Sequence, residues 1–414
     1  MKASDRPLAK IIDICRTIPG ALGGMSHQQA KVLGRISVCR TEYMGTYVYQ
    51  CENEKCGHRE IRYASCKNRA CSVCSWLPRE KWKLQRQNDL IPNTPYFHNV
   101  FTIPHEFSQI ASQNQRVVQT LLLKCVESTL KAFEESHCNG GKIGFMLVLH
   151  TWSTRMLNHY HVHAAIPGGY LLNDRWHPMH EYLFPVRALA SMFKNKFCSG
   201  LRDLNRKGKL IFEGTLSELN DSSVLSKTID AGYNKKWYVH SEVTKGNDPS
   251  KIMGYLANYV YKTAIDHNRI ERIDETEVEF SYRSHEEHDK GAWKRLSLPV
   301  QEFLRRFASH IQPHRYTRIR YYGFLGGGVK RKYLAEIFSQ LAEQEYKAKN
   351  RKIHRSSCEE IQEMSGRMEV AKCPCCGARM LSPWDVYKRN AGHDPPTTSS
   401  ANAQHDQSQL KVCA

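Results

Sequence analysis

Residues 158–166 read Asn-His-Tyr-His-Val-His-Ala-Ala-Ile, and this stretch decides the fold that the sequence predicts. The alternation of residue types is typical of a strand, in which successive side chains point to opposite faces. His159, His161 and His163 would then share one face, while Val162 and Ala164 could pack on a core. Three adjacent imidazoles would repel one another if charged, and neutral imidazoles are good ligands for divalent ions. The pattern favours a metal site over a row of buried, hydrogen-bonded histidines.

A second candidate strand, residues 143–152, lies just before this stretch and is joined to it by a short polar link. Two strands this close in sequence predict an antiparallel hairpin. His150 could supply a third metal ligand if the register brings it beside His161. The alternative is a lone histidine at the end of a strand.

A helix is predicted from Asp248 and Pro249, a good N-cap and a good first helical residue, through residue 262. Tyr255 and Tyr259 stand at i and i+4, so their side chains would share one helix face. Aromatic residues at this spacing usually only pack in a core. A tyrosine hydroxyl becomes an effective nucleophile beside a positioned, metal-polarised phosphate, and the histidine strand offers the metal.

Two cysteine pairs with short spacing precede these segments. Cys51 and Cys56 are followed, after fourteen residues, by Cys71 and Cys74. Paired soft ligands of this kind predict one tetrahedral structural Zn²⁺ site, with buried free thiols as the alternative. His58 and Cys66 lie inside the loop and are spare candidate ligands.

A further cysteine pair near the C-terminus resembles half of a zinc ribbon. It is Cys373-Pro-Cys-Cys376 followed by glycine, and no matching pair follows it. A second zinc at Cys373 and Cys376 is left open, since it would need Cys358 or a histidine to complete four ligands.

The chain has 60 Lys and Arg residues against 41 acidic ones, and this net charge of +19 favours a polyanionic partner such as nucleic acid. The segment 76–90 is a basic helix that either contacts DNA or is simply solvated. Lys262 presents the same two alternatives, contact with a phosphate or a solvated side chain. The candidate DNA-binding residues are Arg79, Lys81, Lys83, Arg86 and Lys262.

Membrane insertion is not predicted, because no apolar run approaches the length that crosses a bilayer and the N-terminus lacks a signal-peptide core. We therefore expect a soluble cytoplasmic protein, whose fifteen cysteines serve as metal ligands or buried thiols rather than disulfides. Three parts are expected along the chain. They are a helical and zinc-binding DNA-binding domain (1–92), a catalytic domain (93–335), and a charged C-terminal region (336–414) with a disordered tail after Gly392.

In this order, these segments resemble the HUH superfamily of DNA-nicking enzymes, named for its histidine–apolar–histidine motif. More closely, they resemble the two-tyrosine transposases of the insertion sequence ninety-one family. The resemblance extends over most of residues 40–330. It includes the cysteine segment, Tyr96 to Glu106, the histidine hairpin, Tyr255-Leu-Ala-Asn-Tyr259, and Arg318-Ile-Arg-Tyr-Tyr-Gly323. Ala70 departs from the pattern, since a histidine is expected there, and this weakens the case for a histidine in the zinc shell.

The resemblance implies an α+β fold, with an HUH endonuclease-like central antiparallel sheet and flanking helices, preceded by a zinc-binding module. It implies a transposase that nicks and rejoins single-stranded DNA at transposon ends and in target DNA, in rolling-circle-type transposition. A tyrosine would form a 5′-phosphotyrosine bond and free a 3′-hydroxyl. Mg²⁺ or Mn²⁺ would act at His161 and His163, and two imidazoles suit Mn²⁺ better. The protein would be bacterial and associated with the nucleoid.

Two other classes of protein remain as alternatives. A metal-dependent hydrolase of the amidohydrolase kind also uses a His-x-His pair, but there the pair stands near the start of a barrel, whereas here about 160 residues precede it. A non-enzymatic zinc protein that only binds DNA would explain the charge and the cysteines. It would leave the histidine strand and the paired tyrosines unexplained.

Overall fold

The computed structural model describes residues 6–179, 185–243, 249–284, 288, 290–341 and 372–391. Its helices are α1 (Pro7–Thr17), α2 (His27–Ser37), α3 (Trp76–Arg86), α4 (Ser108–Gln113), α5 (Gln115–His137), α6 (Val186–Arg206), α7 (Ser222–Tyr233), α8 (Pro249–Val260), α9 (Val300–Ser309), α10 (Lys330–Gln340) and α11 (Pro383–Ala391). Its strands are β1 (Thr46–Cys51), β2 (Arg59–Tyr63), β3 (Tyr96–Thr102), β4 (Lys142–Trp152), β5 (Asn158–Pro167), β6 (Gly169–Leu172), β7 (Arg175–Pro178), β8 (Tyr238–Val243), β9 (Ile270–Ile273), β10 (Glu277–Arg283), β11 (Trp293–Pro299), β12 (Ile319–Gly323) and β13 (Met380–Leu381).

The largest sheet has the strand order β7-β6-β4-β5-β3-β8, and β12 also pairs with β4. Every pairing within it is antiparallel. The predicted hairpin is its centre, because β4 and β5 pair directly and bring His150 opposite His161. The predicted α+β class with a central antiparallel sheet is confirmed at this level.

One face of the central sheet carries the main hydrophobic core. The odd-numbered residues of β4, the even-numbered residues of β5 and the phenylalanines of β3 pack there against α5 and α6. Phe101 and Phe193, for example, meet edge to face at 5.4 Å between ring centroids. Val162 and Ala164 are fully buried on this side. Each large apolar side chain buried in this way contributes roughly 1.5–3 kcal/mol to stability.

The opposite face of the sheet is covered by α3 and α8. Trp82, Leu256 and Val260 pack there on Met146, Val148 and Ala165 of the central strands. Because side chains alternate along a strand, this face also receives the histidines of β4 and β5. The fold therefore places α8, the helix of Tyr255 and Tyr259, over the histidines.

The N-terminal helices belong to a second core. α1 and α2 pack with α9 and with the smaller sheet β11-β10-β9. Ser26 caps the start of α2 with a capping box, in which the Ser26 side chain and Gln29 satisfy each other's backbone N–H groups. A third sheet, β13-β1-β2, joins the C-terminal strand to the first hairpin.

Two expectations concern the ends of the chain. The tail after Gly392, expected to be disordered, lies outside the described residues, as does Cys358. The division at residues 92 and 335 stays a prediction, because contacts between elements do not measure which segments fold alone. Within the described ranges, every helix is too short or too polar to pass through a lipid bilayer.

Candidate metal centre, tyrosine helix and cysteine clusters

Three histidines of the central hairpin meet on the face that α8 covers. His150, His161 and His163 each offer one ring nitrogen, and these nitrogens lie within 4.8 Å of one another. His163 Nε2 and His150 Nδ1 are 3.1 Å apart. Two nitrogens that each lie about 2.1 Å from one ion, at a right angle, would be separated by about 3 Å. The spacing therefore fits two ligands of a single divalent ion, with His161 as the third.

A fourth histidine, His98 on β3, extends this group and was missed in the sequence. His98 Nε2 lies 2.8 Å from His163 Nδ1, and His98 Nδ1 lies 3.0 Å from Glu242 Oε1 on β8. These contacts join strands that are far apart in the chain. Nothing in the pattern of residues 96–103 singled out His98 as a functional residue. Glu242 lies just before a segment that the structure does not describe.

The hydrogen bonds determine which nitrogen of each ring carries the proton. A carbonyl or carboxylate oxygen can only accept, so the N–H groups of His150 Nε2, His161 Nδ1 and His98 Nδ1 donate to Tyr259 O, His159 O and Glu242 Oε1. His98 Nε2 is then an acceptor, and it receives the N–H of His163 Nδ1. His150 Nδ1, His161 Nε2 and His163 Nε2 are left with lone pairs that face one another. Converging lone pairs with no proton between them are an arrangement that a cation stabilises.

Burial keeps these imidazoles neutral. Desolvation, followed by the positive charge of neighbouring groups, lowers the pKa of His150 and His163 well below the usual value. Desolvation and then His159 lower the pKa of His161 to about 3. A neutral imidazole keeps the lone pair that a metal ligand needs, so the site is ready to bind an ion at neutral pH.

With zinc retained and no ion at the histidines, the protein should lose stability as the pH falls below about 6.5. The unfolded chain has imidazoles with ordinary pKa values, so it takes up protons there that the folded chain does not, at about 1.4 kcal/mol per pH unit for each such histidine. We expect the melting temperature to fall between pH 7 and pH 5, with excess Mn²⁺ shifting the fall to lower pH. Glu302, whose pKa its hydrogen bond with Arg305 lowers to about 2, matters only at lower pH. A melting temperature that stays constant over this window would contradict the neutral assignment.

The tyrosine helix ends against the histidines. The ring centroid of Tyr259 lies 4.3 Å from that of His163 and 4.8 Å from that of His98. The backbone of Tyr255 lies in α8, one turn earlier, and its side chain is outside the described residues. The structure thus brings Tyr259 onto the metal-ligand candidates, while the position of the Tyr255 hydroxyl stays a prediction.

Arg318, just before β12, fastens the end of this helix. Its guanidinium donates to the carbonyl oxygens of Val260 at 2.8 Å and Lys262 at 3.2 Å. A cation at a helix C-terminus donates hydrogen bonds to carbonyls that lack helical partners. It is also attracted by the negative end of the helix dipole. Burial lowers the pKa of Arg318 to about 10, so it remains charged at neutral pH. In the sequence, this arginine stands out only as the first residue of Arg318-Ile-Arg-Tyr-Tyr-Gly323.

Replacing Arg318 by lysine should slow the DNA cleavage that the sequence resemblance implies about 10- to 100-fold, while Mn²⁺ affinity changes less than about 3-fold. Both hydrogen bonds come from one guanidinium nitrogen, Nη2; a lysine keeps the charge but lacks the rigid guanidinium plane that holds this donor in place, so the end of α8 would shift over an intact metal site. Single-turnover cleavage and calorimetric Mn²⁺ titration measure the two effects. Arg320→Lys, two residues further along on β12, is the matched control and should behave like the unmodified chain. Equal losses in both variants, or a matching loss of Mn²⁺ affinity, would remove the positioning role.

The basic residues predicted to contact DNA lie on or beside α3, which packs against α8. Arg79 and Lys83 both pair with the buried carboxylate of Glu80. Arg86 pairs with Asp89 and lies over the ring of Tyr321. Part of the positive charge of α3 is therefore paired with carboxylates of the protein itself. Desolvation lowers the pKa of Lys81.

Lys262 lies two residues past the end of the tyrosine helix. Desolvation, and then the charges of Arg269 and Arg283, lower its pKa. Its positive charge also lowers the pKa values of His150, His161 and His163. Lys262 therefore contributes to the positive field at the candidate metal centre. For all five basic residues, contact with DNA stays a prediction.

The cysteines form two clusters where the sequence predicted one. The first cluster combines Cys39, Cys66, Cys71 and Cys74, all buried. The sulfur of Cys74 lies 3.5 Å from that of Cys39 and 3.6 Å from that of Cys66. Hydrogen bonds with Cys66 and then Cys71 lower the pKa of Cys39 to about 7. Four buried thiols at these separations fit the tetrahedral Zn²⁺ site of a structural module.

The second cluster combines Cys51 and Cys56 with Cys373 and Cys376. The prediction that Cys51, Cys56, Cys71 and Cys74 bind one zinc is therefore corrected, since the structure divides these residues between two sites. The reason is the hairpin β1-β2, which carries residues 51–58 to its tip while Cys39 and Cys66 stay at its base. Strands of five or six residues span about 17 Å, which is too far for one ion. Cys66, a spare candidate, is a member of the first cluster, and the solitary Cys39 gave no spacing signal.

Two family models and two relatives are similar to this chain. A family model described as a putative transposase matches residues 144–333, from β4 to α10. A model described as a transposase zinc-binding domain matches residues 13–103, which contain every clustered cysteine except Cys373 and Cys376. A putative transposase, y4qJ, of Sinorhizobium fredii is 32% identical over 377 residues, which are 90% of this chain and 92% of that protein. The transposase for insertion sequence element IS801 of Pseudomonas savastanoi pv. phaseolicola is 24% identical over 322 residues, 77% of this chain and 75% of that protein. No solved structure matches the chain.

Proposed function

Because this chain belongs to the insertion sequence ninety-one family of transposases, we propose that it cleaves and joins single-stranded DNA by metal-assisted tyrosine transesterification. Membership of the family implies DNA as partner and, in general terms, DNA cleavage and strand transfer. The proposal adds the chemistry and its residues. It also adds an HUH-type nuclease fold for the central sheet and rolling-circle-type transposition of the element. Both are inferred from the resemblance of the sequence.

The observation that carries the proposal is the group of three converging lone pairs beneath Tyr259. His150, His161 and His163 have their donors committed elsewhere, and their bare nitrogens share one small space. His98 and Glu242 hold the ring of His163 in the required tautomer, as carboxylate and imidazole partners do around metal-bound histidines. Three imidazole ligands fit Mn²⁺ better than Mg²⁺, which prefers oxygen. A divalent ion bound there would polarise the scissile phosphate and stabilise the negative charge of the transition state.

The reaction assigned to the site exchanges one phosphodiester for another. The hydroxyl oxygen of Tyr255 or Tyr259 attacks phosphorus, the tyrosyl ester bond forms, and the bond to the 3′-oxygen breaks. The proton lost by the tyrosine is balanced by the one that the 3′-oxygen gains as it becomes a hydroxyl. Neither water nor a nucleotide is consumed, so the energy of the broken phosphodiester is retained in the tyrosyl ester. It is then available for rejoining the strands. The second tyrosine can accept another strand end.

The surroundings of the site suit a phosphate backbone. Lys262 lies two residues past the end of the tyrosine helix, and α3 runs beside that helix with Arg79, Lys81, Lys83 and Arg86. We propose that DNA approaches along α3 and that the zinc-binding module holds the ends of the element. Affinity should then fall steeply as the salt concentration rises.

The test is a search for a covalent protein–DNA adduct. The protein is incubated with single-stranded DNA that carries the ends of its own element, with Mn²⁺ or Mg²⁺, and then denatured. An adduct that survives denaturant and needs the ion is expected. The Tyr255→Phe, Tyr259→Phe double variant should form none, because phenylalanine lacks the attacking oxygen, and the single variants show which tyrosine acts first.

Tyr261→Phe is the matched control, since Tyr261 lies just past the end of the same helix and packs beneath it. It should form the adduct at the unmodified rate. No adduct with either ion would reject the tyrosine mechanism. An adduct unchanged in the double variant would reject these two nucleophiles. Cleavage without an adduct would instead support the metal-dependent hydrolase, and binding without cleavage the DNA-binding zinc protein.

A further inference from the structure

The second cysteine cluster unites segments more than three hundred residues apart. Cys51 and Cys56 come from the first hairpin, whereas Cys373 and Cys376 come from the C-terminal segment. The zinc-binding family model ends at residue 103 and includes only the first pair. The sequence offered no partner for Cys373 and Cys376 other than Cys358 or a histidine, so the identity of the partner is a result of the fold.

The sulfur atoms of the cluster are arranged for a metal ion. Cys51 Sγ lies 3.4 Å from Cys376 Sγ, and Cys56 Sγ lies 3.7 Å from Cys373 Sγ. A disulfide needs about 2.05 Å, so neither pair is at bonding distance. Four thiolates at about 2.3 Å from one Zn²⁺ ion in a tetrahedron would be roughly 3.8 Å apart. The separations agree with a single tetrahedral ion.

The two halves of the cluster are built alike, although their sequences and spacings differ. In the first half, the Cys51 N–H donates to His58 O at 2.8 Å, and Gly57 follows the second cysteine with φ +63°. In the second half, the Cys373 N–H donates to Ala378 O at 2.6 Å, and Gly377 follows the second cysteine with φ +73°. Each turn thus closes behind its cysteine pair through a left-handed glycine, which is the residue that adopts this conformation without strain. Two matched turns that face each other aim four sulfurs at one point.

Apolar contacts alone are too few to hold this part together. The core around the cluster consists of Cys51, Cys373 and Met380, with a few half-buried neighbours. The strand β13 adds only two residues to the sheet, pairing Leu381 with Gln50 and Met380 with Cys51. Modules with so small a core usually need a metal or a disulfide to fold.

We propose that Cys51, Cys56, Cys373 and Cys376 bind a second structural Zn²⁺ ion, which clamps the C-terminal segment 372–391 onto the first hairpin. The ion completes a zinc ribbon from the two ends of the chain. Cys375 is outside the ligand set, because its sulfur is not grouped with the other four and lies instead beside His58 Nδ1 at 3.4 Å. The C-terminal segment is thereby an integral part of the zinc-binding module.

The first test counts zinc in the full-length protein by mass spectrometry, without DNA. The Cys373→Ser, Cys376→Ser double variant should hold one zinc ion per chain fewer than the unmodified protein. Cys375→Ser is the matched control and should lose none. An unchanged zinc count in the double variant, or an equal loss in the control, would overturn the proposal. Since no DNA is present, the outcome is independent of the proposed tyrosine chemistry.

A second measurement covers the case in which the double variant does not fold. Hydrogen exchange of the unmodified protein is followed by mass spectrometry while a chelator withdraws zinc. Amides of residues 46–63 and 372–391 should lose protection together, at one chelator concentration. If the C-terminal segment stays protected after the hairpin has lost its zinc, or is unprotected from the start, no clamp exists.

Discussion

The His163→Ala variant is expected to cleave DNA at least about 1000-fold more slowly while its affinity for the same DNA changes less than about 3-fold. His163 is the central member of the group, since its Nε2 faces His150 and its Nδ1 donates to His98. Alanine would remove one proposed ligand and separate the other two from His98 and Glu242. Metal ions contribute several kcal/mol to phosphoryl transition states, and about 4 kcal/mol corresponds to roughly 1000-fold in rate.

The measurement has three parts, which are single-turnover cleavage, Mn²⁺ titration by calorimetry, and DNA affinity without metal. His159→Ala is the matched control on the same strand, and its backbone oxygen, which receives the His161 N–H, is retained. It should keep both Mn²⁺ affinity and cleavage. If DNA affinity collapsed in His163→Ala as far as cleavage does, the histidines would be structural. If Mn²⁺ affinity were unchanged, the ion would bind elsewhere.

The part of this site that sequence could predict is the part that depends on local period. The alternation along residues 158–166 predicted that His161 and His163 share one face of a strand. The short link to the preceding strand predicted the hairpin that brings His150 opposite His161. The helical pattern placed Tyr255 and Tyr259 in one helix, which the structure shows, while the shared face of their side chains stays a prediction. Each of these inferences uses contacts between residues close in the chain or within one hairpin.

Other parts of the site depend on which distant strands become neighbours. His98 reaches His163 because β3 pairs with β5, and Glu242 reaches His98 because β8 pairs with β3. Nothing in the period of any one strand specifies these neighbours. The same holds for Arg318, whose role follows from the approach of β12 to the end of α8. Such residues become visible only once the order of strands in the sheet is known.

The cysteines show how local spacing can also mislead. Pairs that are close in the chain do lie together, as Cys51 with Cys56 and Cys71 with Cys74. Spacing identifies a pair but not the partner pair, and the nearest pair in sequence was the wrong choice. A hairpin between two pairs separates them by its own length, so Cys71 and Cys74 group with Cys39 and Cys66, whereas Cys51 and Cys56 group with the distant Cys373 and Cys376. Residues 52–63 contain a turn followed by a stretch that forms a strand. This pattern could have indicated that a hairpin separates the two cysteine pairs.

The Cys71→Ser variant is expected to lose more than about 5 kcal/mol of folding free energy, with DNA affinity falling at least about 10-fold. Structural Zn²⁺ sites contribute on the order of 10 kcal/mol, and a serine oxygen is a poor replacement for a buried thiolate. The first cluster lies in the second core, where Ile11, Ile36 and Phe303 pack with its cysteines. Losing the ion would therefore loosen α1, α2 and α9 together.

Mn²⁺ binding at the histidines should survive this change, because the central sheet has a hydrophobic core of its own. Cleavage should nevertheless fall, since Arg69, in the loop of the first cluster, donates to Tyr316 O at 2.7 Å, two residues before Arg318. Denaturant unfolding, zinc content and Mn²⁺ titration measure these effects, with Cys198→Ser as a control at a buried cysteine outside both clusters. Equal destabilisation in both variants would mean that the first cluster is only a set of buried thiols. Loss of Mn²⁺ affinity in Cys71→Ser would instead mean that the zinc-binding module and the central sheet fold as one unit.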